Sequence, residues 1–583
     1  MKTFFNWLLR AATAACFVAA TATASAQTTY TWTGSIDTDY QVAGNWSPPR
    51  TAPAANDILR FNSGTTVTVT NMATETIGEF RVENAGTWVR LSSLSTAKTL
   101  TINGGASAED LFVAAGATLE LTGNINTQIP LAATATGGIY GDVLFTPTAA
   151  SIVHNIRSGA ADAIQVYAGG SLQMAPVSTG SQNGVGGTSG VANGIRFRSG
   201  SAYYQGGTSS GVRNGGTGTN PFGLTAPASL VVFDSGSTYV TWDSIPAISG
   251  RTYGNFIWRN TAAQTVGGGS QWTVQNNLIV RRSGTTGQGN FNLTAQTGPI
   301  VVQGDVIVEP GGGIFNATPA PTSPVQWSFA GNVDVQDASR FTAPTSPTIT
   351  IQLNGTAAQT VNFAEKVLPN LTMNNASGVT LTSSVVVAGA LTLTAGNVDT
   401  GSHLLTVGTS PTATGSIAGS GGRVIGTLRR WVAAATGAVD FPIGTASQAT
   451  GASVNFTVAP TSGGTLTARF VSGSPGTSGL PLVDTDATSL NNIGSAGVWE
   501  IVAGAGLAGG TYDLSLTANG FTAYPDASKM RIVKRTNNTS AWTLDGLAGS
   551  NAFPVIVRTG LVGFSEFGIA EPPPASVSDW SIY

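Results

Sequence analysis

The side chains that most often carry enzymatic chemistry are scarce in this sequence. Its only two histidines, His154 and His403, lie far apart in "SIVHNIRSG" and "TGSHLLTVG". Neither belongs to a metal-binding or protease motif, and no nucleophile elbow, phosphate-binding loop or calcium loop is present. The one cysteine, Cys16, lies in an N-terminal leader, so the mature chain has no thiol chemistry. We therefore expect no catalytic residue, no cofactor site and no metal site.

Carboxylates are the remaining candidates for catalysis. A polysaccharide lyase or glycosidase on a β-helix needs paired acids, or acids that hold Ca²⁺ beside a basic residue. Such acids would recur at one position of successive coils. Asp305 and Asp334 lie about one repeat apart but at different positions of their repeats, and Glu309 and Asp337 follow them. We expect solvated turn carboxylates here, with a carbohydrate-active enzyme as the alternative interpretation.

Four aromatic residues are candidates for binding without catalysis. They occur in a region rich in Thr, Asn and Gln and are Tyr253, Trp258, Trp272 and Trp327. Aromatic faces beside amide groups suit neutral glycans, so we consider these four as candidate glycan contacts. The alternative is core packing, because solenoid interiors also contain aromatic side chains.

The first 26 residues have the pattern of a secretory signal peptide. Lys2 and Arg10 supply positive charge, residues 11–22 are apolar, and Ala24-Ser25-Ala26 is a small-residue cleavage site. The apolar run is too short for a membrane anchor, and Cys16 lacks the preceding Leu of a lipoprotein signal. No later apolar run reaches the length of a membrane helix. The sequence therefore predicts export.

Composition restricts the remaining classes of protein. Charged residues make up 9% of the 583 residues, against about 25% in an average soluble protein. The formal net charge of −3 gives no electrostatic surface for nucleic acid. The hydrophobic content of 41% argues against disorder. A polar, weakly charged all-β protein is what these numbers favour.

A β-rich segment recurs along the middle of the chain. "VQNNLIV" (274–280), "VQGDVIV" (302–308), "FAGNVDV" (329–335) and "VAGALTL" (387–393) share strand residues around Gly or Asn. Strand repeats of about 20 to 30 residues indicate a solenoid whose coils stack. We expect Gly and Asn at corners that need positive φ. The first choice of fold is a right-handed parallel β-helix, and stacked β-sandwiches are the second.

Changes in composition divide the mature chain into four parts. We predict an N-terminal cap at 27–75 with Trp32 and Trp46 as its core, because a first coil would otherwise expose its apolar face. The β-solenoid follows at 76–412. Gly/Ser/Asn-rich segments at 180–194 and 206–220 are expected to be surface loops, with wide corners as the alternative.

From residue 413 the strand-like runs become longer, alternate better and carry more charge. Six to eight such runs at sandwich spacing predict a C-terminal β-sandwich at 413–570. Arg429-Arg430-Trp431 opens it, and we expect an edge strand whose guanidinium groups stack on the ring. Residues 571–583, with Pro572 to Pro574, are predicted to be an extended linker to a sorting domain absent from this sequence.

Several of these segments together resemble a known group of proteins. The segments are "WTG" with "NW" near the start, "NGTAAQTV" with "LPNLTMNNASGVTL", and the later "RRW", "FPIG", "GLPL", "WEI" and "FSEF". They are similar to secreted β-strand-repeat surface proteins of the Bacteroidetes, which are adhesin-like and often end in a sorting domain for type 9 secretion. The resemblance covers most of the mature chain.

The resemblance implies a location and a set of partners, and no catalytic residue. It implies secretion to the outside, or to the outer surface, of a Gram-negative bacterium through the sorting machinery. It also implies a structural or adhesive role with extracellular glycans or surface proteins as partners. Absence of the sorting domain leaves the export route an expectation.

Overall fold

The fold was analysed in a computed structural model. It describes residues 27–573 except 150, 151, 153, 175–184, 186–190, 207–228, 242–247, 262 and 283–288. The protein is all-β, with 49% strand and 2% helix. The described helices are single 3₁₀ turns at Ala43–Asn45, Ala338–Arg340 and Ala527–Lys529. The predicted signal peptide, most of both predicted loops and residues 574–583 of the predicted linker lie outside the described residues.

The strands follow one another in short units along the whole chain. The first half contains β1 (Thr29–Trp32), β2 (Trp46–Ser47), β3 (Ile58–Phe61), β4 (Thr66–Val69), β5 (Glu75–Ile77), β6 (Glu79–Val82), β7 (Trp88–Ser92), β8 (Lys98–Ile102), β9 (Leu111–Val113), β10 (Thr118–Gly123), β11 (Thr127–Pro130), β12 (Gly137–Ile139), β13 (Asp142–Pro147), β14 (Asn155–Arg157), β15 (Ile164–Val166), β16 (Ser171–Met174), β17 (Ile195–Phe197), β18 (Ala202–Gln205), β19 (Val231–Phe233), β20 (Thr238–Thr241), β21 (Thr252–Tyr253), β22 (Asn255–Trp258), β23 (Gln264–Gly268), β24 (Trp272–Val274), β25 (Leu278–Val280) and β26 (Phe291–Gln296). The next part contains β27 (Ile300–Val302), β28 (Val306–Val308), β29 (Phe315–Asn316), β30 (Val325–Phe329), β31 (Val333–Val335), β32 (Phe341–Thr342), β33 (Ile349–Leu353), β34 (Gln359–Asn362), β35 (Val367–Leu368), β36 (Asn370–Asn374), β37 (Val379–Leu381), β38 (Val385–Val387), β39 (Ala390–Ala395), β40 (Val398–Val407), β41 (Ser416–Ala418) and β42 (Val424–Val432). The C-terminal part contains β43 (Gly437–Phe441), β44 (Ile443–Gly444), β45 (Ala452–Val458), β46 (Gly464–Ser472), β47 (Leu482–Val483), β48 (Ser489–Leu490), β49 (Asn492–Ile493), β50 (Gly497–Gly504), β51 (Thr511–Thr517), β52 (Arg531–Arg535), β53 (Leu547–Ala548), β54 (Val555–Leu561) and β55 (Glu566–Glu571).

Up to β42 the strands form coils stacked through parallel pairing. A full coil has three strands, as in β3–β5 and β6–β8, and each strand pairs with its counterpart in the next coil. First strands form one sheet from β3 to β19 and another from β21 to β41. Second strands form an unbroken parallel ladder from β4 through β7, β10, β13, β16, β18, β20, β22, β25, β28, β31, β34, β37 and β40 to β42. At about 4.8 Å per step, this ladder, which we call the second sheet, extends roughly 65–70 Å.

The interior is built from columns of inward side chains in register. In the second sheet Leu119, Val143, Leu172 and Tyr203 occupy successive coils at one position, and none is exposed to solvent. Residues on either side of each point outward, because side chains alternate along a strand. One coil cannot bury its own apolar face, so the columns stabilise the fold only when coils stack.

Two kinds of corner connect the strands. Both follow a first strand: after β17 and β19, Gly200 and Gly236 have φ of 81° and 83°, and the Gly200 amide donates to the Gly236 carbonyl at 2.9 Å. Here the expectation of positive φ is confirmed. At the corners between β27 and β28 and between β30 and β31, which lie inside the sequence repeats, the expectation is wrong, because Gly304 and Gly331 have no positive φ. A Cβ on Gly331 would lie 2.2 Å from the Gly304 carbonyl carbon, so close packing between coils requires glycine.

Side chains with a carbonyl or carboxylate oxygen link successive coils at that second corner. The Oδ1 atom of Asn277 accepts from the Asp305 amide at 2.8 Å, Asp305 from the Asn332 amide at 2.7 Å, and Asn332 from the Thr360 amide at 2.8 Å. We call this column the corner ladder. It explains why Asn or Asp recurs in the repeats, since each such side chain satisfies a backbone donor of the next coil.

The first three sequence repeats occupy one position of the coil, and the fourth does not. Leu278 pairs in register with Val306, and Val306 with Val333. The segment 387–393 instead connects β38 to β39, at the turn from the end of one coil to the start of the next. Its residues resemble those of the first three repeats because this turn also joins two short apolar strands.

The N-terminal end is closed by β1, which pairs with β3, and by β2, which pairs with the other edge of β1. Trp32 and Trp46 are buried there, with ring centroids 5.0 Å apart in an edge-to-face arrangement. Arg50 is buried between Asp57 at 2.8 Å and Glu75 at 2.9 Å. The coils begin with β3 inside the range 27–75, so the first coil and the closing strands share that segment.

The C-terminal part contains two antiparallel sheets and remains joined to the coils. One has the order β43-β45-β51-β54-β53, and the other runs from β42 through β46 and β50 to β55 and β52. Strand β42 pairs in parallel with β40 on one edge and antiparallel with β46 on the other. The expectation that Arg429–Trp431 lies on an edge strand is therefore wrong. Among the described residues no helix is long and apolar enough to span a bilayer.

We predict that Asn277→Ala lowers stability by about 1–2 kcal/mol, because the part-buried amide of Asp305 loses its acceptor. Differential scanning calorimetry should show a lower unfolding midpoint. Gln303→Ala is the matched control, since Gln303 is an exposed residue beside the same corner. Equal midpoints for the two variants would contradict a stabilising role of the corner ladder.

Candidate functional site

The four aromatic residues considered for glycan binding lie in the core. Tyr253, Trp258 and Trp272 are fully buried and Trp327 is 2% exposed. Trp258 stacks on Phe291 with centroids 4.5 Å apart, and its Nε1 donates to the Gly289 carbonyl at 2.9 Å. Their ring faces are covered by neighbouring coils, so they cannot be offered to a glycan on the surface. The prediction of a glycan contact at these positions is corrected accordingly.

His154 is a structural element of the coil stack. Its Nδ1 accepts from the Thr127 amide at 3.2 Å and its Nε2 lies 3.3 Å from the Gly123 carbonyl. Burial lowers the pKa of His154 from 6.5 to about 4, against the raising effect of those two backbone contacts. A neutral imidazole with both nitrogens directed at the backbone bridges coils and is not placed to exchange protons with a substrate.

The four carboxylates considered for catalysis do not converge. Asp305 belongs to the corner ladder, whereas Asp334 pairs across to Ile307 and so occupies another register. Glu309 forms an ion pair with Arg281 at 2.8 Å, and Asp337 caps the 3₁₀ turn that follows it. No group of three or more metal-binding side chains occurs in the described part of the chain.

A buried carboxylate with two arginine partners, Asp484, lies in the C-terminal part. Asp484 is 2.6 Å from Arg531 and 3.1 Å from Arg558, and all three side chains are 1–2% exposed. Burial would raise the pKa of Asp484, but hydrogen bonds from Arg558, the Thr485 amide and Arg531 outweigh it and hold the pKa below 3.8. The cluster fixes the β47–β48 hairpin to β52 and β54, which is a structural role.

One cavity is lined in part by Tyr253, one of the four candidate glycan contacts. It measures about 450 Å³ and lies between β19 and β21, where the sheet of first strands is interrupted. Arg196 and Asp234 line it and form an ion pair at 2.7 Å. Tyr253 also borders this space, although its ring is fully buried. Arg251 lines it as well, so the lining carries two guanidinium groups and one carboxylate.

A second cavity, the junction groove, lies outside the place where the third strands of the last coils meet the antiparallel strands. It measures about 540 Å³. A single row of outward side chains crosses six strands beneath it, from β35 to β50: Val367, Val386, Thr406, Arg429, Thr467 and Val502. Trp431 stands two residues after Arg429, level with Thr465 and Gly504.

The groove combines apolar, hydroxyl and cationic groups. Val367 and Val502 are 46% and 57% exposed, and Thr406 and Thr465 are nearly buried. The Arg429 Nε donates to the Thr467 hydroxyl at 3.2 Å. Trp431 also lines a smaller neighbouring cavity of about 140 Å³. Open apolar surface with a few convergent polar groups is typical of ligand pockets.

Sequence reasoning missed this groove because its residues come from positions 367 to 505. The signal that was present is Arg429-Arg430-Trp431, in which alternate residues point to the same side of a strand. Which strands lie beside β42 follows from the tertiary structure alone. No family model, curated protein or solved structure matches this chain.

We predict that His154 makes stability fall as the pH is lowered from 6.5 to about 4. In this window the His154 imidazole is protonated in the unfolded chain and neutral in the folded chain. His154→Gln should flatten the dependence of the unfolding midpoint on pH within that window. His403→Gln, at a half-buried residue of β40, is the matched control. An unaltered pH profile for His154→Gln would contradict the assignment.

We predict that the Asp484 cluster is lost in stronger acid. Because the folded pKa of Asp484 lies below 3.8, its stabilisation is present above that pH and falls as the pH drops below it. Asp484→Asn leaves the buried Arg558 without a carboxylate and Arg531 with Asp486 alone, and should cost about 3–5 kcal/mol at neutral pH. Asp486→Asn, at a carboxylate that is 42% exposed, should cost less. Chemical denaturation at pH 7 and pH 3 measures both effects.

Proposed function

We propose that this chain is a secreted or cell-surface protein of structural or adhesin-like function. Its coils would serve as a stiff spacer that holds binding surfaces away from the cell. The observation that carries the proposal is the unbroken ladder of the second sheet from β4 to β42, with its apolar columns. In this proposal the coils form a right-handed β-helix, and the two C-terminal sheets pack as a β-sandwich.

The distribution of chemistry supports display over catalysis. His154, whose pKa is lowered, bridges coils. The buried carboxylates of Asp484 and Glu566 pair with arginines and join strands. The open features lie on outward faces, where a rod presents them to a partner. Many weak contacts along one rod add up through effective concentration. Export through a signal peptide and the outer surface of a Gram-negative cell are part of the same proposal.

The proposal predicts a rod that adheres. In electron micrographs the purified 27–583 chain should show a rod whose coil region is roughly 65–70 Å long. Beads coated with this chain should bind extracellular matrix, cells or arrayed glycans more than beads coated with serum albumin. Incubation with a panel of polysaccharides should release no new reducing ends and no unsaturated sugars. Release of either product would replace display with catalysis, and absence of all adhesion would leave a purely structural layer.

A further inference from the structure

The junction groove has a chemical counterpart nearer the N-terminal end of the coils, on the outer face of the second sheet. On β7, Trp88 and Arg90 point outward two residues apart, and Trp88 is 39% exposed. Both donate to the same carboxylate on the next coil. The Trp88 Nε1 and the Arg90 Nε each lie 2.9 Å from Oε2 of Glu120. The chain thus contains one complete arrangement of tryptophan, arginine and carboxylate on an outer strand face.

The groove repeats the first two members of that arrangement without the third. Trp431 and Arg429 point outward two residues apart on β42. The strand neighbours of Arg429 are Thr406 and Thr467. Arg429 forms no ion pair with any described residue, and the Trp431 Nε1 has no hydrogen-bond partner among them. The described side chains that line the groove include no carboxylate.

We propose that the junction groove binds a saccharide that carries a carboxylate. The ligand carboxylate takes, between Arg429 and the Trp431 Nε1, the place that Glu120 takes between Arg90 and Trp88. A guanidinium group suits this role because its fixed fork of donors matches a carboxylate. The inference rests on the proposed adhesive function and names the ligand class of one surface.

The rest of the groove favours a sugar over a peptide. Threonine hydroxyls at 406, 409, 465 and 467 line the groove and match ring hydroxyls, and the exposed Val367 and Val502 offer apolar contact to C–H groups. A volume of about 540 Å³ lies within the range of small-ligand sites. A peptide would bind by adding a strand, but β40, β42 and β46 already have neighbours on both edges.

The experiment compares acidic and neutral sugars on the purified 27–583 chain. Isothermal titration calorimetry is run with oligosaccharides of glucuronic acid, galacturonic acid and sialic acid, and with neutral glucose and galactose oligomers. At least one acidic series should bind roughly tenfold or more tightly than the neutral ones, and its affinity should weaken with salt. Equal affinity for acidic and neutral sugars, or no binding of any acidic series, overturns the proposal.

Variants localise the binding. Arg429→Gln should lose at least roughly tenfold in affinity, and Arg429→Lys should lose less, because it keeps the charge without the fork. Arg90→Gln and Trp88→Leu make matched changes at the counterpart and should bind as the unaltered chain does. Trp431→Leu is informative if its unfolding midpoint is normal; otherwise the Arg429 pair decides. Equal losses for Arg90→Gln and Arg429→Gln would overturn the site.

The outcomes also separate this inference from the proposed function. If beads adhere but Arg429→Gln adheres equally well, the groove is not the adhesive surface and display stands. If soluble acidic sugars bind while coated beads adhere to nothing, the groove stands and adhesion fails.

Discussion

Stacking between successive coils is the interaction on which the rest of the structure depends. Each inward side chain of the second sheet is covered by its counterparts above and below, as Leu119, Val143 and Leu172 are. Complete burial of such a side chain contributes about 1.5–3 kcal/mol, against about 0.5–1.5 kcal/mol net for a backbone hydrogen bond. The columns therefore supply most of the stability. Pairing and the corner ladder decide the register, because a slip of one residue would turn each column outward.

This constraint also explains where the polar chemistry lies. A closed apolar interior leaves the outer strand faces, the corners and the junction with the C-terminal sheets for charged groups. His154 and Asp484 are two of the buried ionisable groups, and both are enclosed by hydrogen-bond partners from other strands. A buried ionisable group persists only when it is paired in this way. The low charge content of the sequence follows from the same architecture.

The sequence predicts the strand repeats, the buried Trp32 and Trp46, and the different registers of Asp305 and Asp334. It also places positive φ correctly at Gly200 and Gly236, which follow β17 and β19, and wrongly at Gly304 and Gly331. It fails at Trp258, although the alternation of Phe256 and Trp258 along β22 could have placed both rings on the inner face. The junction groove was beyond reach, since its members come together only through the pairing of β42 with β40 and β46.

The shared strand β42 has a consequence for anyone who divides this protein into parts. The change in sequence character near residue 413 suggests a place to cut, yet β40 and β42 on either side of it are hydrogen-bonded neighbours. Separation there would leave each half with an open row of amide and carbonyl groups beside an uncovered apolar face. Such edges recruit strands from other molecules and lead to aggregation. The coils and the antiparallel sheets are best produced and handled as one piece.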